Sequence, residues 1–276
     1  MKLYEITAFT RDNLGGNKAG IILEEDYDVV ASNQARYCEL AKTYQYSEIV
    51  VGVRVTKENY VVRYFTPEQE IDFCGHASVA LGYLLMIQEA IDINEITLDT
   101  EIGDVNVINK DNAIYYEVKK HHIGDYLNKE DIATSLNISS KEIVNQPQIV
   151  DSSIPDVMIH VDSLHTLNSI VMDSNLVKKI STDNEVVGYH VLAIDNQSFY
   201  TRNFAPLYGI DEESATGSSS ASMYLYLVEN QIITKGTTIT FLQGDAMNAP
   251  SAINVTTINN DLYVGGQCQF NQTYII

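Results

Sequence analysis

Short stretches of alternating apolar and polar residues dominate the chain. Leu3–Phe9, Ala19–Leu23, Ser47–Val53 and Tyr60–Phe65 are rich in β-branched and aromatic residues. Turn formers such as Asn13-Leu14-Gly15-Gly16-Asn17 separate them, so each reads as a strand. Asn33–Thr43 departs from this, with Ala35, Leu40 and Ala41 at helical spacing. The apolar run Val79–Ile87 predicts a helix opened by His76 and Ala77 and ending near Ala90. Strands follow at Ile96–Thr100, Gly103–Ile108 and Ala113–Val118, with turns at Gly103 and Lys110-Asp111-Asn112. Lys119–Tyr126 is polar, holds His121 and His122, and marks a domain boundary. Asn128 is placed to cap a short helix over Lys129–Leu136. Val157–Val161, Val191–Ile194 and Phe199–Phe204 read as strands, whereas Thr166–Ser174 and Val186–Val191 carry no clean period. A second apolar helix covers Ser218–Val228, and strands at Thr237–Leu242, Ala252–Ile258 and Asp261–Gly265 complete the pattern.

One motif occurs twice. Arg63-Tyr64-Phe65-Thr66-Pro67 precedes Cys74-Gly75-His76-Ala77-Ser78, and Arg202-Asn203-Phe204-Ala205-Pro206 precedes Thr216-Gly217-Ser218-Ser219-Ser220. Each reads as a strand, a Pro-broken loop and a helix start built from small residues. Self-similarity at this distance implies two homologous halves, Met1–Val118 and Lys119–Ile276. The last strand can return to the first half, because β lobes of this kind often exchange an end. Many strands and one long helix per half predict an α+β fold: two lobes, each a curled, mostly antiparallel sheet around a central helix. A helix start with free N–H groups is a place to hold an anion. The expected ligand is therefore a small carboxylate.

Composition narrows the function classes. The 276 residues carry a formal net charge of −20, which repels phosphate backbones and argues against nucleic-acid binding. Three cysteines, Cys38, Cys74 and Cys268, are too few and too odd in number for a disulfide framework and suit a reducing cytosol. No apolar run approaches a membrane span, and Met1–Phe9 lacks the apolar core of a signal peptide, so a cytoplasmic protein is expected.

Few residues stand out as chemistry. Glu48 sits at the mouth of the apolar strand Ile49–Val51, where partial desolvation would raise its pKa toward a general acid/base value. From position alone, a solvated carboxylate at a strand start is the more economical reading. His76 could donate a proton, bind a carboxylate or simply pack at a helix start. Cys74 with His76 is half a metal site, but no second half follows at ligand spacing. Glu212 and Glu213 precede the second helix start, where acids normally complement the dipole. There is no G-x-G-x-x-G after a strand, no phosphate-binding P-loop and no nucleophile elbow, so neither metal nor organic cofactor is expected.

Together these pieces resemble the PhzF (phenazine biosynthesis) family. The carriers are Phe9, Gly16-Asn17-Lys18-Ala19-Gly20, Ser47-Glu48, the stretch Phe65–Ala77 and Gly209–Ser218. Gln243-Gly244, Pro250-Ser251 and Val264-Gly265-Gly266 extend the likeness over nearly the whole chain. The resemblance implies the diaminopimelate epimerase-like fold, with two pseudo-symmetric lobes and a cleft between the two central-helix N-termini. It implies a cofactor-independent isomerase in which Glu48 shuttles a proton, His76 and Glu213 join the catalytic set, and Gly75, Ala77, Thr216, Gly217, Ser218 and Ser219 bind substrate. It also implies a homodimer. Glu213 stands where the family usually has Asp, Lys18 replaces a Pro, and Ala249 falls where a basic residue usually precedes Pro-Ser. The related epimerases use two facing cysteines. This chain has Cys74 in the first half and Thr216 in the second. Epimerase or racemase chemistry with another second base, and a non-catalytic carboxylate binder, are the alternatives.

Overall fold

A computed structural model describes residues 1–89 and 92–276. The chain divides into two compact units: 1–117 with 265–276, and 118–264. No helix among the described residues is long and apolar enough to cross a membrane.

In the first unit, strands β1 (Lys2–Thr10) and β2 (Asn17–Glu24) are followed by helices α1 (Tyr27–Ser32) and α2 (Gln34–Tyr44). Strands β3 (Glu48–Arg54), β4 (Asn59–Phe65) and the short β5 (Glu70–Ile71) lead to helix α3 (Gly75–Tyr83). A π-helical turn extends α3 over Leu84–Gln88, and the end expected near Ala90 lies outside the described residues. Strands β6 (Glu95–Thr100), β7 (Gly103–Lys110) and β8 (Ala113–Glu117) follow.

The pairings alternate. β1–β2, β3–β4 and β6–β7 are antiparallel; β2–β3 and β4–β6 are parallel. β7 pairs with β8, and the final strand, Asp261–Ile275, pairs with both β8 and β1. The strands therefore close into a ring, with α3 packed on β1, β2, β3, β7 and β8. His76 through Gly82 are all buried, so α3 presents no polar face to water. Its small residues permit this enclosure: a Cβ on Gly82 would lie 2.7 Å from Val107. A separate apolar cluster joins Tyr37 and Ala41 of α2 to Ile22, Ile49, Val51 and Phe65.

The second unit begins with β9 (His122–Tyr126), α4 (Lys129–Leu136), β10 (Gln148–Asp151) and β11 (Pro155–Val161). It continues with α5 (Leu164–Ser169), α6 (Ser174–Asp183), β12 (Tyr189–Asp195), β13 (Ser198–Ala205) and β14 (Ile210–Glu213). Helix α7 (Gly217–Glu229), β15 (Ile239–Gln243) and β16 (Ser251–Ile258) precede the final strand, β17. β10–β11, β12–β13 and β15–β16 are antiparallel; β11–β12 and β13–β15 are parallel. This is the order of pairing types seen from β1 to β7. Strand alternation sends Val157, Ile159, Val191 and Ala193 into a core with α4, α5 and α6, while α7 packs on β10, β11, β12 and β16.

The structure adds elements that the sequence pattern did not offer. The polar stretch at Lys119–Tyr126 contains strand β9, α5 fills part of a region without a clean period, and α6 covers residues to which the pattern assigned no element. The final strand runs to Ile275, ten residues beyond the expected Gly265.

Candidate active site

The first cluster forms where β3 and α3 begin. Glu48 is the first residue of β3, opposite Ala19 of the parallel strand β2. Cys74 is the N-cap of α3 in an extended conformation, and the first helical hydrogen bond runs from Ser78 N–H to the Cys74 carbonyl. The N–H groups of Gly75, His76 and Ala77 therefore precede the helical ladder. Gly75 is dictated by space, since a Cβ there would lie 2.7 Å from the Tyr116 ring. Behind this turn the Tyr64 hydroxyl meets Ser78 Oγ at 2.6 Å, and Ser78 Oγ donates to the Cys74 carbonyl at 2.8 Å.

His76 lies between Cys74 and Glu48. Its Nδ1 is 3.3 Å from Cys74 Sγ, and its Nε2 is 3.3 Å from Glu48 Oε2. Nε2 and Oε2 are close but not aligned as donor and acceptor, and each is a buried polar atom without a hydrogen-bond partner. The Glu48 side chain is 18% exposed and that of His76 9%. Position alone favoured a solvated Glu48; the structure instead turns its carboxylate toward the imidazole. Burial pushes the His76 pKa down, with the Glu48 charge and the Lys18 backbone opposing. A neutral imidazole is the result at neutral pH. Sγ, a ring nitrogen and a carboxylate oxygen of Cys74, His76 and Glu48 all lie within 4.8 Å of one another.

The second cluster forms where β14 hands over to α7. Thr216 is the N-cap, and its hydroxyl donates to Glu213 Oε2 at 2.6 Å. Gln243, fully buried, locks the loop: its Nε2 donates to the Glu213 carbonyl at 2.7 Å, and its Oε1 accepts from Thr216 N–H at 3.2 Å. The first α7 bond is Ser220 N–H to the Thr216 carbonyl, leaving the N–H groups of Gly217, Ser218 and Ser219 ahead of the ladder. Ser218 is half-buried, and its carbonyl accepts from Ser152 Oγ at 2.7 Å. Glu212 is held away in a bidentate pair with Arg202 at 2.9 and 2.7 Å.

Two features escaped the sequence reading. Ser219 turns its hydroxyl inward to Asp156 Oδ2, so only its N–H remains for a ligand. Asp156 is 3% exposed, and burial raises its carboxyl to about 6 despite that bond and the Gly188 backbone. The signal was a lone acid among apolar β11 residues, which strand alternation places on the α7 side. Gln243 bridges 30 positions to Glu213 and gave no local signal. His121 and His122 are both exposed.

The sequence model of the phenazine biosynthesis-like protein family (PhzC-PhzF) matches residues 6–269. A protein of Clostridium acetobutylicum named as an uncharacterized isomerase is 29% identical over 245 residues, 83% of this chain and 80% of its own. The trans-2,3-dihydro-3-hydroxyanthranilate isomerase of Pseudomonas chlororaphis is 24% identical, covering 89% of this chain and 86% of its own. Among solved structures, a PhzF family protein of Bacillus anthracis superposes with a TM-score of 0.83 at 18% identity, over 99% of this chain and 98% of its own. That likeness is one of fold: strand-rich, mixed α and β, with few helices.

Proposed function

The chain belongs to the phenazine biosynthesis-like (PhzC-PhzF) family, and from that premise we propose an isomerase that moves a proton on a small carboxylate substrate by general acid/base catalysis. One observation carries the reading. Glu48 Oε2 and His76 Nε2 lie 3.3 Å apart, buried and without hydrogen-bond partners, beside the start of α3. A carboxylate so placed can take a proton from a carbon activated by an adjacent carbonyl or double bond. It then returns that proton elsewhere on the same face of the substrate, so one base suffices. His76, kept neutral by burial, donates or accepts a hydrogen bond at Nε2 without adding a charge. The N–H groups of Gly75, His76 and Ala77, and in the second unit those of Gly217, Ser218 and Ser219, are the proposed holders of the substrate carboxylate and of developing negative charge.

A two-thiol racemase is disfavoured by the second cluster, where Thr216 already gives its hydroxyl to Glu213. A homodimer is part of the same proposal, and sedimentation as a monomer at micromolar concentration would remove it. The test of activity is proton exchange in deuterated buffer. The dihydro-hydroxyanthranilate named for the Pseudomonas relative is the first probe, followed by other shikimate-derived and amino-acid-derived acids. Deuterium should enter one of them. Saturable binding of an acid that never exchanges would instead describe a carboxylate-binding protein.

A further inference from the structure

We propose that Glu48, Cys74 and His76 form a site for a thiophilic divalent cation such as zinc, and that cation and proton-transfer chemistry exclude each other there. The first observation is the misalignment of the carboxylate and the imidazole. Glu48 Oε2 and His76 Nε2 are 3.3 Å apart yet do not hydrogen-bond, and both are buried. Two ligands of one tetrahedral ion with bonds of about 2.0–2.1 Å lie about 3.3 Å apart and point at a shared third atom rather than at each other. The second observation is the third donor. Cys74 is 8% exposed; its Sγ lies 3.3 Å from His76 Nδ1 and within the 4.8 Å cluster, so a turn of the Cys74 side chain toward the Nε2 edge of the ring completes the set. The sequence offers only Cys74-x-His76; the third ligand arrives from β3, 26 positions before Cys74, which no spacing motif encodes.

Charge also fits. Binding releases the thiol proton to solvent, so thiolate, carboxylate and neutral imidazole neutralise a dication completely. That removes the main cost of a buried ion. Thiolate plus imidazole selects zinc or cobalt over magnesium or calcium, which favour oxygen ligands. Three protein ligands leave one position for water. A bound ion would occupy the lone pair on Glu48 that proton removal needs, so the cation is an inhibitor and not a cofactor.

The test does not depend on turnover. Cobalt(II) is titrated into the full-length protein and its thiolate charge-transfer absorption is followed, with zinc used in competition. One saturable site per chain is expected, displaced by zinc, lost in Cys74→Ala and weakened about tenfold or more in Glu48→Gln. Replacing the exposed His121 and His122 by Ala should leave the titration unchanged. No thiolate band in the wild type would overturn the proposal, as would a band that persists in Cys74→Ala or has wild-type affinity in Glu48→Gln. Where an exchanging substrate is in hand, one equivalent of zinc should abolish exchange and a chelator should restore it. An enzyme activated by zinc would overturn the inhibitory role.

Discussion

Thr216 donates its hydroxyl to Glu213 within the loop that opens α7, at 2.6 Å. The hydroxyl that stands where the family resemblance places the second thiol of two-cysteine epimerases is thereby tied to a carboxylate, and Glu213 is an acceptor already in use. Glu48 Oε2 has no such partner. The two acids should therefore respond differently to loss of charge. Glu48→Gln should keep ligand binding and lower deuterium exchange at saturating ligand by roughly 10²–10⁴-fold. Glu213→Gln should cost much less, through loosening of the loop. The reverse ranking would make Glu213 the base.

Cys74→Ser should retain most exchange activity, because a hydroxyl can still face His76 Nδ1 and no second thiol stands at Thr216. The same substitution should remove the cobalt–thiolate band. A fall of about 10³-fold in a folded Cys74→Ser protein, comparable with loss of a general acid/base group, would assign the chemistry to the thiol.

Asp156 and His190 should make opposite contributions to stability in acid. His190 is fully buried, its Nδ1 is 2.9 Å from Asn203 Oδ1 and its Nε2 has no partner. Burial lowers its pKa from 6.5 to about 4. The unfolded chain therefore binds the proton first, and this stability is present above pH 6.5 and lost as pH falls toward 4. Asp156 is raised from 3.8 to about 6 by burial. There the folded state binds the proton first, so stability is gained as pH falls from 6 to about 4. Each amounts to about 3 kcal/mol, and the two largely cancel. Asp156→Asn should thus stabilise the protein at pH 7 by about 1–3 kcal/mol, since an amide oxygen can still accept from Ser219. It should also steepen the loss of stability between pH 6 and 4. Parallel urea midpoints for wild type and variant across that range would refute the pairing.

At Gly265 the final strand packs tightly against β8. A Cβ there would lie 2.1 Å from the Ile114 carbonyl oxygen and 2.5 Å from the Tyr115 ring. Backbone on one side and a ring on the other leave little room to yield. Gly265→Ala should destabilise by about 3 kcal/mol, at the upper end of overpacking costs, read as a lowered urea midpoint. Gly103→Ala, where a Cβ would meet nothing within 4 Å, is the contrasting control for space, because its positive φ supplies the strain alone.

Legibility followed the physics of each segment. Strands buried on one face or both, such as Ile49–Val53 and Val157–Val161, betray themselves by apolar content. α7 and α3 do so by length and small residues. Asn128 was readable as a cap and accepts from the N–H groups of Glu130 and Asp131. The end of β17 was not readable, because Gln267–Thr273 is mostly polar and nowhere fully buried, being exposed or half-buried throughout. α6 buries only Val177 and Ser181. Within the candidate site, Glu48 and His76 stood out individually, but their meeting depends on how β3 lies beside the start of α3. Asp156 left only the trace of a lone acid in an apolar strand, and Gln243 acts through tertiary contacts that leave none.

The closed ring around α3 has a consequence for the order of folding. β1 is paired on one side by β2, its neighbour in the chain, and on the other by residues up to Ile275. The ring therefore cannot close until the residues up to Ile275 have left the ribosome. Until then β1 and β8 each carry an open edge, the kind of surface on which chains associate wrongly. The unit that holds Glu48 and His76 is begun before the second unit is made and completed only after it. Its maturation is timed by the translation of Gly265–Ile276, and chains stalled short of that segment should be the ones that chaperones and proteases intercept.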